Sequence, residues 1–467
     1  MSQPTTSQPS TDDLRDGLPP AARRAAMAAV LLAVMTATLD TAIVNTALPR
    51  IALDLHTDAG TSIWVVNAYQ LAMLATLLPL AALGEIVGHR RVYLGGLAVF
   101  TLSSVLCGLA WSLPVLAVAR LVQGLGASAV VGVNLALIRH IFPARLLGKG
   151  VGLNAMMVGM SFTAGPSVAS LILSVASWHW LFLINGPVGL LAFGLAYRHL
   201  PRIRLATHRF DGVAAGLTAL AFSLLILGLD TAGHGGQALV AVAALGAAVV
   251  CLGLLLRRQS GHPAPMLALD LFRIPVFALS AVTSVCAFAC QGIAFVALPF
   301  LFQSVLGRSQ VAAGLLLTPW PAMVASLAPV SGRLADRYST GLLGFVGLST
   351  LGVGMALLAT MPTSPTTFDI VWRLLLCGSG FGFFQAPNLR ALMGSAPPAR
   401  AGGASGIVSI ARNLGQASGA ALVAGCFQIS AQNGPIIALW LGGGFAGAAA
   451  IASVLRLAAS RPQSAGD

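Results

Sequence analysis

The chain has 467 residues, 57% of them hydrophobic and only 8% charged, with 26 Lys and Arg against 13 Asp and Glu for a net charge of +13. Soluble domains are about half apolar and about a quarter charged, and single cores stop growing near roughly 250–300 residues. A mean hydropathy of +0.87 over this length therefore excludes one oversized soluble core. The excess of positive charge does not argue for nucleic acid, because the basic residues sit in short segments between apolar runs.

Residues 1–24 form a polar tail rich in Pro, Ser and Thr, with no secretory pattern. Apolar runs then recur, each long enough to cross a hydrocarbon layer of about 30 Å. They predict fourteen helices, at 25–48, 62–84, 92–110, 113–138, 147–173, 180–198, 211–230, 237–256, 274–302, 310–332, 341–361, 367–393, 404–430 and 434–457. The fold class is an all-α polytopic membrane protein. With the N-terminus inside, 21 of the 26 Lys and Arg fall in inner loops, tails and inner helix ends, two (Arg50 and Arg308) in outer loops and three (Arg120, Arg373 and Arg412) deeper within spans. The positive-inside rule thus predicts that both termini are cytoplasmic.

The first span carries "MTATLDTAIVNTALPRI" (35–51), which sets Asp40 beyond mid-depth. A central charge costs about 2.5–3.5 kcal/mol on insertion scales, so it is expected to be paired, solvated or functional. Two readings of Asp40 stand: a buried group satisfied by Arg120, Thr36 or Thr41, or a carboxylate lining a watery cavity where it gains and loses a proton. Arg120, in "RLVQGLGASAVVGVN" of the fourth span, either snorkels outward or faces the same cavity, and the second is favoured. Asp369 and Arg373 are spaced for an ordinary i,i+4 pair, and Asp230 sits near a helix end as an interfacial group.

The second span exits through "ALGEIVGHRR" (82–91), holding Glu85, Gly88, Arg90 and Arg91, and the tenth through "SGRLADRYST" (331–340), holding Asp336 and Arg337. Glu85 and Asp336 are 251 residues apart, and Arg120 and Arg373 are 253 apart. Two related six-helix units are expected, 25–198 and 273–457, with basic linkers and two extra helices over 199–272 and a short tail at 458–467. Repeated halves around a central site typify secondary transporters. In "GMSFTAGPSVAS" of the fifth span, Gly165 and Pro166 mark a kink or a packing seam. Polar candidates for a cavity are Asn45, Tyr69, Gln70, Asn134 and Gln291, with Trp320 among apolar wall residues.

The six cysteines all fall within spans, without metal-ligand spacing, and are expected to be packing residues. No HExxH motif or Walker-type glycine loop is present, which disfavours an enzyme or an ATP-driven pump. No metal or cofactor is implied.

Taken together, "LDTAIVNTALPRI", "WVVNAYQLAMLATLLPLAALGEIVGHRR", "ARLVQGLGAS", "AGPSVAS", "WHWLFLINGPVG", "LFQSVLGRSQVAAGLLLTPW" and "SGRLADRYS" resemble the major facilitator superfamily, in particular its fourteen-helix drug:proton antiporter branch. The resemblance covers residues 25–457. It implies two six-helix bundles plus two central helices, with Asp40 and Arg120 in proton coupling, the loop residues in gating, and Gly165-Pro166 as the antiporter motif. It further implies a proton-driven exporter of small amphipathic, cationic compounds in a bacterial inner membrane; a monomer is expected separately, since the resemblance does not set the oligomeric state. Departures are Glu85-Ile86 where the branch has Asp-Arg, Ala81 for a glycine, His89 at a basic position, Ala169-Ser170 for a glycine pair, and no acid in the tenth span. An exporter dedicated to one metabolite fits the same residues; a nutrient symporter or a non-transporting membrane protein fits them less well.

Overall fold

The computed structural model describes residues 17–202, 210–232, 238–259, 268–397 and 400–459. Much of the expected tails and of both basic linkers lies outside these residues. Thirteen helices are long and apolar enough to cross a membrane. In chain order α1 is Pro20–Asp54, α2 Ala59–Val87, α3 His89–Gly108, α4 Leu113–Ile141, α5 Ala144–Val175, α6 His179–His199 and α7 Gly212–Ala232. Then come α8 Ala238–Gln259, α9 Pro275–Val305, α10 Gln310–Leu334, α11 Thr340–Ala359 and α12 Thr367–Ser395. The expected span at 404–430 is a helix of 29 residues, α13, Ala401–Ile429, whose glycines and Arg412, Asn413 and Gln416 make it more polar than the other thirteen. The last apolar helix, α14, is Gly434–Ala459.

Local chemistry sets the helix ends. Asp58, Ser309 and Ser339 cap α2, α10 and α11 with their side-chain oxygens, and Thr366 forms a capping box with Asp369 at the start of α12. Gly88, at φ 109°, turns the chain between α2 and α3 in a conformation that a side chain would strain. Arg91 donates to the Val87 carbonyl at 3.3 Å, and Arg90 donates to the Tyr197 carbonyl, so the loop motif ties α3 to the end of α6.

The packing of the first six helices recurs in the last six. The pairs α1–α5, α1–α6, α2–α4, α3–α4 and α3–α6 reappear as α9–α13, α9–α14, α10–α12, α11–α12 and α11–α14. Individual contacts repeat as well. Gly96 meets Gly126 where α3 crosses α4, and Gly347 meets Gly380 where α11 crosses α12. Gly124 abuts the Tyr69 carbonyl, and Gly378 abuts that of Trp320. Small residues permit such approaches, which drive helix association where no hydrophobic effect operates.

The two ends of the bundle differ. At the end away from the termini, Leu48, Ile51 and Ile63 join Val296, Phe300, Val423 and Phe427 in one buried cluster that crosses between halves. There Gln303 donates to the Thr46 carbonyl at 3.3 Å. On the flank between α5 and α10, Ser167 and Thr318 hydroxyls bond at 2.8 Å and Gly314 lies against Ser170 and the Pro166 carbonyl. The other end, carrying the basic residues, holds a cavity of about 430 Å³ between α2, α4 and α13. Glu85, His89, Arg139, Asp211 and Arg400 stand at its rim, and Asp336 is paired with Arg390 of α12 nearby in sequence register with Arg139.

Helices α7 and α8 form a hairpin that packs through α7 on both α2 and α13. Arg258 and Asp211 join its ends at 2.9 Å, and that hydrogen bond holds the Asp211 carboxyl below its usual value. Asp230 is not interfacial as expected: it is buried, and it accepts from Asn67 Nδ2 of α2 at 3.3 Å, because α7 docks its last turn against α2.

Gly126→Leu and Gly380→Leu should each destabilise the fold by about 1–3 kcal/mol through overpacking, read as a lower melting temperature in detergent. Gly148→Ala, where nothing lies within 4 Å, should leave it unchanged.

Candidate functional site

Asp40 and Arg120 meet inside the first six-helix unit. Arg120 Nη1 lies 2.5 Å from Asp40 Oδ2, with side chains 1% and 0% exposed. The second carboxylate oxygen, Oδ1, accepts from Gln123 Nε2 at 3.0 Å and Asn185 Nδ2 at 2.8 Å. Arg120 also donates from Nε to the Val65 carbonyl at 3.0 Å and from Nη1 to Gln123 Oε1 at 2.6 Å. Gln123 in turn donates to Ser104 Oγ at 2.6 Å. The guanidinium sits over the Tyr69 ring at 4.2 Å, with Phe182 at 5.7 Å. Helices α1, α2, α3, α4 and α6 thus converge on one ion pair, which is the arrangement that lets two charges persist away from water.

Of the two readings of Asp40, the paired one holds here. Neither Asp40 nor Arg120 lines either of the two cavities found among the described residues, in contrast to the expectation that Arg120 faces one; Tyr69 and Phe182 cover its guanidinium. Tyr69 is likewise no cavity residue but the aromatic cover of Arg120, itself 1% exposed. Asn134 is turned toward α5, donating to Asn154 Oδ1 at 2.9 Å, rather than toward either cavity. Asp369 and Arg373 form the expected i,i+4 pair at 3.4 Å. Arg337 is exposed at the exit of α10.

The remaining polar candidates do come together. Asn45, Gln70 and Gln291 line a slot of about 20 Å³ between the halves, along with Thr41, Phe162 and Gln416. Gln416 donates to Gln291 across 3.2 Å. With the 251-residue offset, Gln291 stands in the second half where Asp40 stands in the first. The Gly165-Pro166 motif adjoins this slot from α5. A Cβ on Gly165 would overlap Ala42, two residues after Asp40, and the Pro166 carbonyl meets Gly314 of α10.

Several participants escaped the sequence reading. Gln123 is i+3 from Arg120, so helical spacing signals it. Asn185 lies within "WHWLFLINGPVG" but has no periodic signal, and Ser104 has none. Arg456, assigned to the inner surface, is instead buried in α14, donating to Ser280 Oγ at 2.8 Å, Asn388 Oδ1 at 2.5 Å and the Thr340 carbonyl at 2.8 Å. Its neighbours are neutral acceptors, so no acidic partner in the sequence betrays it.

Two repeated halves enclosing a polar interior define a polytopic membrane protein of the transporter type. A family model described as the Major Facilitator Superfamily matches residues 30–420, and the chain belongs to that superfamily; it is a multi-pass membrane transporter. It is 48% identical over 96% of its length, and 98% of the other's, to "Uncharacterized transporter YebQ" of Escherichia coli K12. It is 33% identical to "Multidrug resistance protein Stp" of Mycobacterium tuberculosis, over 86% of this chain and 74% of that one. The riboflavin transporter RibZ of Clostridioides difficile is 29% identical over 86% of this chain and 87% of its own. Among solved structures, a POT family transporter in complex with a thioalcohol-conjugated peptide shares the fold with a TM-score of 0.70 at 13% identity, covering 92% of this chain and 95% of its own.

Breaking a buried pair from one side strands the other charge, at about 3–5 kcal/mol. Asp40→Asn should lower thermal stability by that order. Asp40→Asn combined with Arg120→Gln should recover much of it, which a double-mutant cycle of melting curves in detergent would read.

Proposed function

We propose that this transporter is a proton-coupled exporter of small amphipathic drugs or toxic compounds, acting by alternating access in a bacterial inner membrane with both termini cytoplasmic. It works without a cofactor, as a monomer, drawing on the proton gradient. The observation that carries this reading is the position of Asp40 on α1. The same helix holds the ion pair and, at Ala42, the contact with Gly165.

Protonation of Asp40 would remove the charge that Arg120 matches, so the five-helix junction would have to rearrange. Movement of α1 would press on Gly165, and through the Pro166 carbonyl on Gly314 of α10, which belongs to the other half. A proton entering from the sealed end would in this way loosen that seal, while the unit 25–198 rocks against 273–457. In the form described, the sealed end faces outside and the 430 Å³ cavity is the cytoplasmic vestibule. Glu85, Gly88, Arg90, Arg91, Asp336 and Arg337 act as gating residues at that face. The relative named for multidrug resistance supports export as the direction.

The resemblance implies cationic substrates, and Asp40 lends that preference no support because Arg120 already matches the carboxylate. A second reading, an exporter dedicated to one metabolite with the same coupling, draws on the relative named as a riboflavin transporter.

Inverted membrane vesicles acidified inside provide the test. Adding members of a panel of amphipathic aromatic compounds should release protons through the native chain. The release should vanish in Asp40→Asn and in the doubly neutral Asp40→Asn/Arg120→Gln variant at matched protein amounts. Release that persists in both variants would move the coupling site away from this pair.

A further inference from the structure

One interior cation has no part in the mechanism above. Arg412 lies near the middle of α13, too deep for its side chain to reach either headgroup layer from a straight helix. Among the described residues it makes no hydrogen bond or ion pair. It lies on the stripe of α13 that faces the gap between the halves. Ser405 and Ser409, on the turns before it, line the 430 Å³ vestibule, and Gln416, on the turn after it, lines the slot. Arg412 therefore stands between the two cavities, in the neighbourhood of Tyr69 of α2.

The slot beside it is short of partners. The Asn45 side chain is 8% exposed, and its buried Oδ1 has no hydrogen-bond partner. Gln70 is 3% exposed and makes no hydrogen bond among the described residues. No carboxylate lines the slot. The nearest one, Asp40, is sealed behind Tyr69 and matched by Arg120. The amides each carry a donor and an acceptor and so do not discriminate by charge. The unpaired guanidinium does: it repels an ammonium group and binds a carbonyl or carboxylate by charge-assisted hydrogen bonds.

We infer that Arg412 makes the inter-half cleft selective for amphipathic compounds whose polar end is a hydrogen-bond acceptor, uncharged or anionic, over cations of the same size, with Asn45 and Gln70 bonding whatever donors and acceptors the compound carries beside that end. The inference deepens the exporter reading for the identity of the cargo, but the binding step does not depend on proton coupling.

Fluorescence anisotropy of two xanthene dyes of similar size and opposite charge, fluorescein and rhodamine 6G, tests it on the purified full chain in lipid nanodiscs. The native chain should bind fluorescein about tenfold more tightly or better, as expected for a hydrogen bond to a charged group. Arg412→Gln should lose that preference, and Arg412→Lys should keep fluorescein binding within about threefold. Rhodamine 6G binding the native chain as tightly as fluorescein, fluorescein binding untouched by Arg412→Gln, or saturable binding of neither dye would each overturn the assignment. The comparison of dyes on the native chain needs no variant to fold. If fluorescein binds as expected but releases no protons from acidified inverted vesicles, the exporter reading falls and the cleft assignment stands. Proton release with rhodamine 6G alone would do the opposite.

Discussion

A carboxylate and a guanidinium placed singly in hydrocarbon would each cost several kcal/mol, and the fold meets that constraint by bringing them together at Asp40 and Arg120. Pairing alone would not be enough, since burial strips water from every other lone pair and N–H as well. Gln123, Asn185, Ser104 and the Val65 carbonyl take up those groups, and each comes from a helix that must then be held in register. The ion pair therefore does for the first half what a hydrophobic core does for a soluble domain: it fixes where α1, α2, α3, α4 and α6 sit relative to one another. Because α1 also touches α5 at Gly165, the seam between halves inherits its position from this charge pair.

The second half copies the scaffold without the ion pair. Its glycine crossings match, and Trp320 takes the place of Tyr69 against the facing glycine. Where Asp40 would recur there is Gln291, which bonds to another amide, Gln416. Arg373, the apparent partner of Arg120 by sequence offset, is held by Asp369 on its own helix. Duplicated geometry has thus kept the packing that any such bundle needs, while among the described residues the buried ion pair belongs to the first half and the buried Arg456 of the second bonds neutral acceptors.

Much of this was legible in the sequence. Apolar length announced the spans, and their number came close because hydrocarbon thickness leaves little latitude. The polar helix α13 is the one whose crossing composition underplays, since glycines and Arg412 dilute it. A charge inside a span declares itself by cost, so Asp40, Arg120, Arg373 and Arg412 were visible. What periodicity conveys is a face, and not which helix faces it. Arg120 was therefore aimed at a cavity when Tyr69 and Phe182 cover it, and Asn134 was assigned to a cleft when it meets Asn154. Asp230 and Arg456 show a second limit. Each lies near a helix end, where sequence position suggests water, and each is buried because a neighbouring helix docks there, on Asn67 in one case and on Asn388 in the other.

The hairpin of α7 and α8 makes the two flanks of the bundle unequal. Where the halves meet along α2 and α13, α7 lies across both and anchors to α2 through Asp230. Where they meet along α5 and α10, no comparable packing of α7 or α8 occurs among the described residues. One flank of the junction is thus screened from the lipid by the hairpin and the other is not. The helix on the unscreened flank, α5, also carries Met156 and Met160, both more than half exposed. Their flexible thioethers accommodate varied shapes better than a rigid aromatic would. The extra pair of helices, by shielding one flank, leaves the other as the junction between halves that the bilayer touches directly.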